Sequence, residues 1–113
     1  RTFVEGAIWN ADESRILSWG ADDAARIWDA ETGDQILALR HEDWVTGATW
    51  NANESRILTW SFNTLRLWRA DGQLLRTFDH EALINGAAWN ADETQLLSWS
   101  WDGTARIWDI SDE

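Results

Sequence analysis

Short apolar runs alternate with polar turn clusters every eight to ten positions along the whole chain. That period is too short for an amphipathic helix and predicts strands joined by hairpins. The clearest stretch is Leu97-Ser98-Trp99-Ser100-Trp101-Asp102-Gly103-Thr104-Ala105-Arg106-Ile107-Trp108-Asp109. An apolar run enters an Asp-Gly turn and a second run leaves it, which predicts two strands and a tight hairpin. The same passage stands at Leu17–Asp29 and, one residue shorter, at Leu58–Arg69. A second marker, Trp9, Trp50 and Trp89, recurs at spacings of 41 and 39 residues. The chain is therefore an internal repeat, and each copy is one supersecondary unit.

Each unit reads as four strands. The first ends on the marker Trp: Val4 to Trp9, Val45 to Trp50, Ile84 to Trp89. An Asn-Ala-Asp/Asn-Glu-Ser/Thr turn follows, with side chains suited to bonding local backbone. The second strand is Arg15 to Trp19, Arg56 to Trp60, Gln95 to Trp99. The third is Ala25 to Trp28, Leu65 to Trp68, Ala105 to Trp108. A Gly turn leads to the fourth, Gln35 to Leu39 and Leu74 to Phe78. Gly-Ala-Ala-Trp and Ile-Leu-Ser-Trp carry small or apolar residues on both faces, the mark of a strand buried on both sides. A four-stranded meander covered on both faces by copies of itself is a propeller blade. The expected fold is all-β, a single propeller segment over 1–113, with blades at about 3–40, 41–79 and 80–113. By alignment the third blade lacks its fourth strand, which leaves the edge of Ala105 to Trp108 unpaired.

Composition narrows the chemistry. The net charge is −11, from 20 acidic and 9 basic residues, so the chain repels phosphate backbones and is not expected to bind nucleic acid. There is no Cys, which removes disulfides and thiolate metal sites. No apolar run approaches ~20 residues, so no membrane span is expected. No basic, apolar N-terminal segment marks secretion, and a cytoplasmic location is expected. Eleven Trp with no Tyr or Met suits packing between large flat surfaces. Pro is absent from all these turns, which hints at a recently duplicated or engineered sequence.

Arg-Ile-Trp-Asp at the end of the third strand, His41 and His80 before the first, and the Asp-containing hairpin together resemble the WD-repeat β-propeller family. The resemblance covers essentially the whole chain through three coincident copies. It implies a hydrogen-bonded network in each blade, joining His, a strand-two Ser or Thr, a hairpin Asp and the strand-three Trp. The third copy matches fully through His80, Ser98, Asp102 and Trp108. The second has His41, Thr59 and Trp68, with Asn63 in a shortened hairpin where Asp is expected. The first has Ser18, Asp22 and Trp28 and no His. The network is expected to be best in the third copy, weaker in the second and incomplete in the first.

No catalytic residue, metal ligand or cofactor is expected. His80, Ser98 and Asp102 imitate a hydrolase triad, but Ser98 lies mid-strand and its equivalent is Thr59, whereas a nucleophile needs exposure beside an oxyanion hole. The acidic turns Asp12-Glu13, Asn53-Glu54 and Asp92-Glu93 are too short to converge six oxygens on calcium and read as solvated turns. Arg26, Arg66 and Arg106 read as partners of nearby carboxylates, with packed alkyl stems. The Trp residues kept in every copy are assigned to packing: Trp9, Trp50 and Trp89, Trp19, Trp60 and Trp99 between blades, and Trp28, Trp68 and Trp108 in the networks. Two positions vary between copies, Phe3/Trp44/Leu83 and Ala21/Phe62/Trp101. The resemblance places both on the top face, where a protein or peptide partner would bind.

Three blades cannot close a ring, since propellers use about 4 to 8 blades and sometimes more. The expected function is a non-enzymatic scaffold that completes its ring by head-to-tail homo-oligomerisation, with a trimer of nine blades favoured over a dimer of six. The alternative is a recognition module on the top face.

Overall fold

The turns dictate the strands. A computed structural model describes residues 4–21 and 23–112. In the first turn Asn10 Oδ1 accepts the Arg15 N–H at 2.9 Å and Asp12 Oδ1 accepts the Ser14 N–H at 3.0 Å. Asn51 with Asn53, and Asn90 with Asp92, repeat both bonds. These side chains supply the acceptors that a tight reversal would otherwise leave to water. Glu13, Glu54 and Glu93 take φ of 62°, 63° and 61°, the left-handed conformation that closes each turn.

The strands between the turns form three antiparallel sheets. The first holds β1 (Val4–Trp9), β2 (Arg15–Gly20), β3 (Ala24–Asp29) and β4 (Gln35–Arg40) in sequence order. The second holds β5 (Gly47–Trp50), β6 (Arg56–Ser61), β7 (Thr64–Arg69) and β8 (Leu74–Asp79). The third holds β9 (Ile84–Trp89), β10 (Gln95–Ser100) and β11 (Ala105–Asp109), with β11 at the edge. Among the described residues every element is a strand, and no helix is long and apolar enough to cross a membrane. The strands fall where the sequence pattern put them, with one correction. β5 begins at Gly47, not Val45, because the Val45 N–H turns to the Gly20 carbonyl of the first sheet at 3.0 Å and leaves the ladder.

Register shows how the sheets stack. Ile16 pairs with Trp9 and Trp28, while Leu17 pairs with Ile8 and Ile27. Paired residues share a face, so each sheet has one face of the Trp9–Ile16–Trp28 type and one of the Ile8–Leu17–Ile27 type. We call these the leading and trailing faces. The trailing face of the first sheet (Leu17, Ala25, Ile27) packs on the leading face of the second (Ala48, Ile57, Trp68) in one core. The trailing face of the second (Leu58, Leu65, Leu67) packs on the leading face of the third (Leu96, Trp89, Trp108) in another. Every junction is thus trailing on leading, and the two cores lie between sheets.

Candidate interface surfaces

Among the described residues the stacking leaves two apolar faces without a sheet against them. On the leading face of the first sheet Trp9 is 57% exposed, whereas its equivalents Trp50 and Trp89 are partly covered. On the trailing face of the third sheet Ile107 is 68% exposed, whereas Ile27 and Leu67 at the same register are 2% and 0%. Leu97 and Trp99 are also exposed, where Leu17 and Leu58 are fully buried. Side chains at equivalent registers therefore differ in exposure according to whether a further sheet covers them. An exposed stripe of this kind is unlike scattered surface apolar residues and is a candidate contact surface.

Inside the sheets the polar networks explain the His, Ser/Thr and Trp positions. In the third, Trp108 Nε1–H donates to Ser98 Oγ at 2.9 Å, and Ser98 lies 2.5 Å from His80 Nε2. His80 Nδ1 faces Asp102 Oδ2 at 3.2 Å, so Nδ1 carries the proton and Ser98 donates to Nε2. Asp102 also accepts Thr104 Oγ1–H at 2.5 Å and the N–H groups of Thr104 and Glu81. Those donors, Thr104 first, hold its carboxyl far below the usual carboxylate range. The second sheet has the same relay, Trp68 to Thr59 at 2.9 Å and Thr59 to His41 at 2.5 Å. Asn63 does not join it; its Oδ1 accepts from Thr64. Burial, and then the Arg66 charge, push the His41 imidazole down to about 4, so it is neutral. Among the described residues the first sheet shows the Trp28 Nε1–H to Ser18 bond at 2.8 Å, and Asp22 lies outside them.

Ser98 is fully buried beneath His80 and Trp108, which leaves no approach for an electrophile. Ser98→Ala is expected to strand the Trp108 N–H and the His80 Nε2, at a cost of about 1–3 kcal/mol. Urea unfolding at pH 7 should show the midpoint falling with an unchanged slope.

Of the described varying positions, Trp44 lies beside Phe62 and the Trp101 N–H donates to the Leu83 carbonyl at 2.9 Å. Trp44 is 50% exposed and stacks on Phe62 with ring centroids 6.4 Å apart. Trp101 is 70% exposed, Ala21 and Leu83 are half-buried, and Phe3 lies outside the described residues. Phe62 sits at φ 46° because the shortened hairpin leaves only Phe62 and Asn63 between paired Ser61 and Thr64.

Two ties between sheets were not foreseen. Arg66 Nη1 donates to the Arg40 carbonyl at 2.7 Å, and Arg106 Nη1 to the Asp79 carbonyl at 3.1 Å. Each binds the end of the preceding sheet's fourth strand; Arg106 also stands 3.7 Å from Asp102. Second, the turn glutamates are not simply solvated. Glu54 accepts the Ala11 N–H at 2.7 Å and Asn10 Nδ2–H at 3.3 Å. Glu93 accepts the Ala52 N–H at 3.0 Å and Asn51 Nδ2–H at 3.1 Å. The exact repetition of Asn-Ala-x-Glu was the available signal, but its meaning depends on a partner one repeat away.

Against known proteins, residues 72–109 match the family described as WD domain, G-beta repeat. That span takes in β8 of the second sheet and all of the third, so the matched unit straddles a sheet junction. No curated protein matches the chain.

Proposed function

We propose, for a chain whose residues 72–109 are a WD repeat, that it is a non-enzymatic scaffold segment which associates head to tail with copies of itself. One observation carries the reading: trailing residues buried at both internal junctions stand exposed on the third sheet, opposite in kind to the exposed leading face of the first. Fully burying a Leu or Ile gains roughly 1.5–3 kcal/mol, and Ile107 at 68% and Leu97 at 40% exposure each have part of that gain left, with Trp99 and the facing Trp9 beside them, to offset the cost of association. The contact is heterologous, so it closes only if the rotation fits, with three copies favoured over two. Copies of net charge −11 repel one another, so association should strengthen with salt.

Light scattering across a dilution series tests this. Three or two times the 13.0 kDa chain mass supports the reading; a folded species of 13.0 kDa at every concentration refutes it. Ile107→Asp, at an exposed position, should return the assembly to single chains without unfolding them.

The exposure of Trp101 favours a second reading, in which a protein or peptide docks on the hairpin end through Trp44, Phe62 and Trp101. Trp44→Ala and Trp101→Ala separate the two. A scaffold keeps its oligomer mass and loses no partner, whereas a recognition module stays folded and loses its pull-down.

A further inference from the structure

The glutamate tie is a two-part joint, and both ends of the chain display one unmated half. In each internal joint the donor half is an Asn-Ala pair at the start of a turn, and the acceptor half is the Glu of the following sheet's turn. Glu54 closes on Asn10 and Ala11, and Glu93 closes on Asn51 and Ala52. The third turn presents Asn90 and Ala91, and the first presents Glu13. Asn10 and Asn51 each give one Nδ2–H to the turn hydroxyl, Ser14 or Ser55, at 3.2 Å and the other to the Glu; Asn90 keeps the first bond, to Thr94 Oγ1 at 3.5 Å, and in place of the second meets Gln95 Oε1 of its own sheet at 3.3 Å. Asn10 and Asn51 are buried beneath the joint, while Asn90 is exposed. Among the described residues the Glu13 carboxylate and the Ala91 N–H meet no partner. Yet Glu13 holds the same left-handed backbone as Glu54 and Glu93, φ 62° against 63° and 61°. The matching φ gives the Glu13 side chain the same starting direction from its turn as Glu54 and Glu93 have from theirs.

We propose that the Glu13 carboxylate of one copy accepts the Ala91 N–H and an Asn90 Nδ2–H of the copy before it. The occupant is a second copy of this chain because the joint continues an interface that the chain builds twice internally. It also lies on the same edge as the apolar faces that would meet, Trp9 beside Glu13 and Leu97 beyond Asn90. The carboxylate joint sets the register between copies, while the apolar faces supply most of the adhesion. Buried area alone does not fix which way two flat faces meet; charge-assisted bonds to a backbone N–H do.

This inference rests on the head-to-tail reading, and the experiment separates their failures. Glu13→Ala removes the acceptor and breaks no bond within the chain, so the variant should unfold in urea like the natural chain when both are single. Its association, measured by light scattering on dilution, should weaken about tenfold or more. Glu13→Asp, too short by one methylene, should fall with it. In the assembled natural chain, hydrogen exchange at the Ala91 N–H should slow toward that of Ala52, and the variant should lose this protection. A natural chain that never associates overturns both inferences. A natural chain that associates, with Glu13→Ala equally tight or Ala91 unprotected, overturns the joint alone.

Discussion

Gly47→Ala should cost about 3 kcal/mol, while the same change at Gly86 costs far less in the single chain. A Cβ built at Gly47 would stand 2.2 Å from the Trp60 ring, and one at Gly86 would stand 2.3 Å from the Trp99 ring. Neither distance is tolerable, so in both cases the indole must move. Trp60 lies flat across Gly47 and is packed from the other side in the core between the second and third sheets. Displacing it overpacks that core, which costs about 1–3 kcal/mol and occasionally more. The gain from a stiffer unfolded chain, about 0.4–1 kcal/mol, does not offset it. Trp99 has no sheet on its outer side and is 41% exposed, so it can swing away. Chemical unfolding of both variants measures the contrast. Equal losses would show that the Trp–Gly contact, and not the sheet beyond it, decides the cost. If copies associate through that face, Gly86→Ala should weaken assembly while sparing the single chain.

This contrast also shows what the sequence could and could not reveal. The strands were legible because Trp closes them and Asn, Asp and Gly open the turns, all acting over a few residues. Their bounds agree to within a residue almost everywhere. Val45 failed because its N–H is taken by Gly20, a partner in another sheet that no local pattern announces. The relay of Trp108, Ser98 and His80 was legible only through the family resemblance, since its members lie 10 and 18 residues apart. Arg66 and Arg106 were expected to seek carboxylates in so acidic a chain. Arg106 does stand 3.7 Å from the Asp102 carboxylate, but both guanidinium groups also donate to exposed backbone carbonyls that end the preceding sheet's fourth strand, acceptors supplied by a neighbour that no local pattern announces. The glutamates were the largest miss. An Asp-Glu or Asn-Glu pair in a tight turn looks solvated until the next sheet is laid beside it. Glu54 and Glu93 find donors 43 and 41 residues away, a separation set by the repeat and not by the turn.

The second large effect is acid sensitivity centred on His41. In the folded chain its imidazole is neutral and buried, with a pKa of about 4 against 6.5 for a free His. Between these values the unfolded chain binds a proton that the folded chain refuses. Stability therefore rises with pH across that window and is lost as the pH falls from 6.5 towards 4. The slope approaches 1.4 kcal/mol per pH unit at its steepest, and the whole loss is about 3 kcal/mol. Protonation would add a second hydrogen to the face that Thr59 already uses and place a cation beside Arg66. The second sheet has no answering carboxylate, because Asn63 stands where Asp102 serves His80 and does not reach the ring. The carboxylates titrate in a different window. Asp12 and Asp92 are lowered by the side-chain hydroxyls of Ser14 and Thr94, and Asp102 by Thr104, so their contributions persist until the pH falls below about 4. Urea midpoints of the natural chain and of His41→Gln, taken from pH 7 to 4, isolate the histidine. The natural chain should lose stability faster than the variant over that range. Parallel curves would mean that His41 takes up its proton without leaving its place under Trp68, and that the relay is looser than its distances imply.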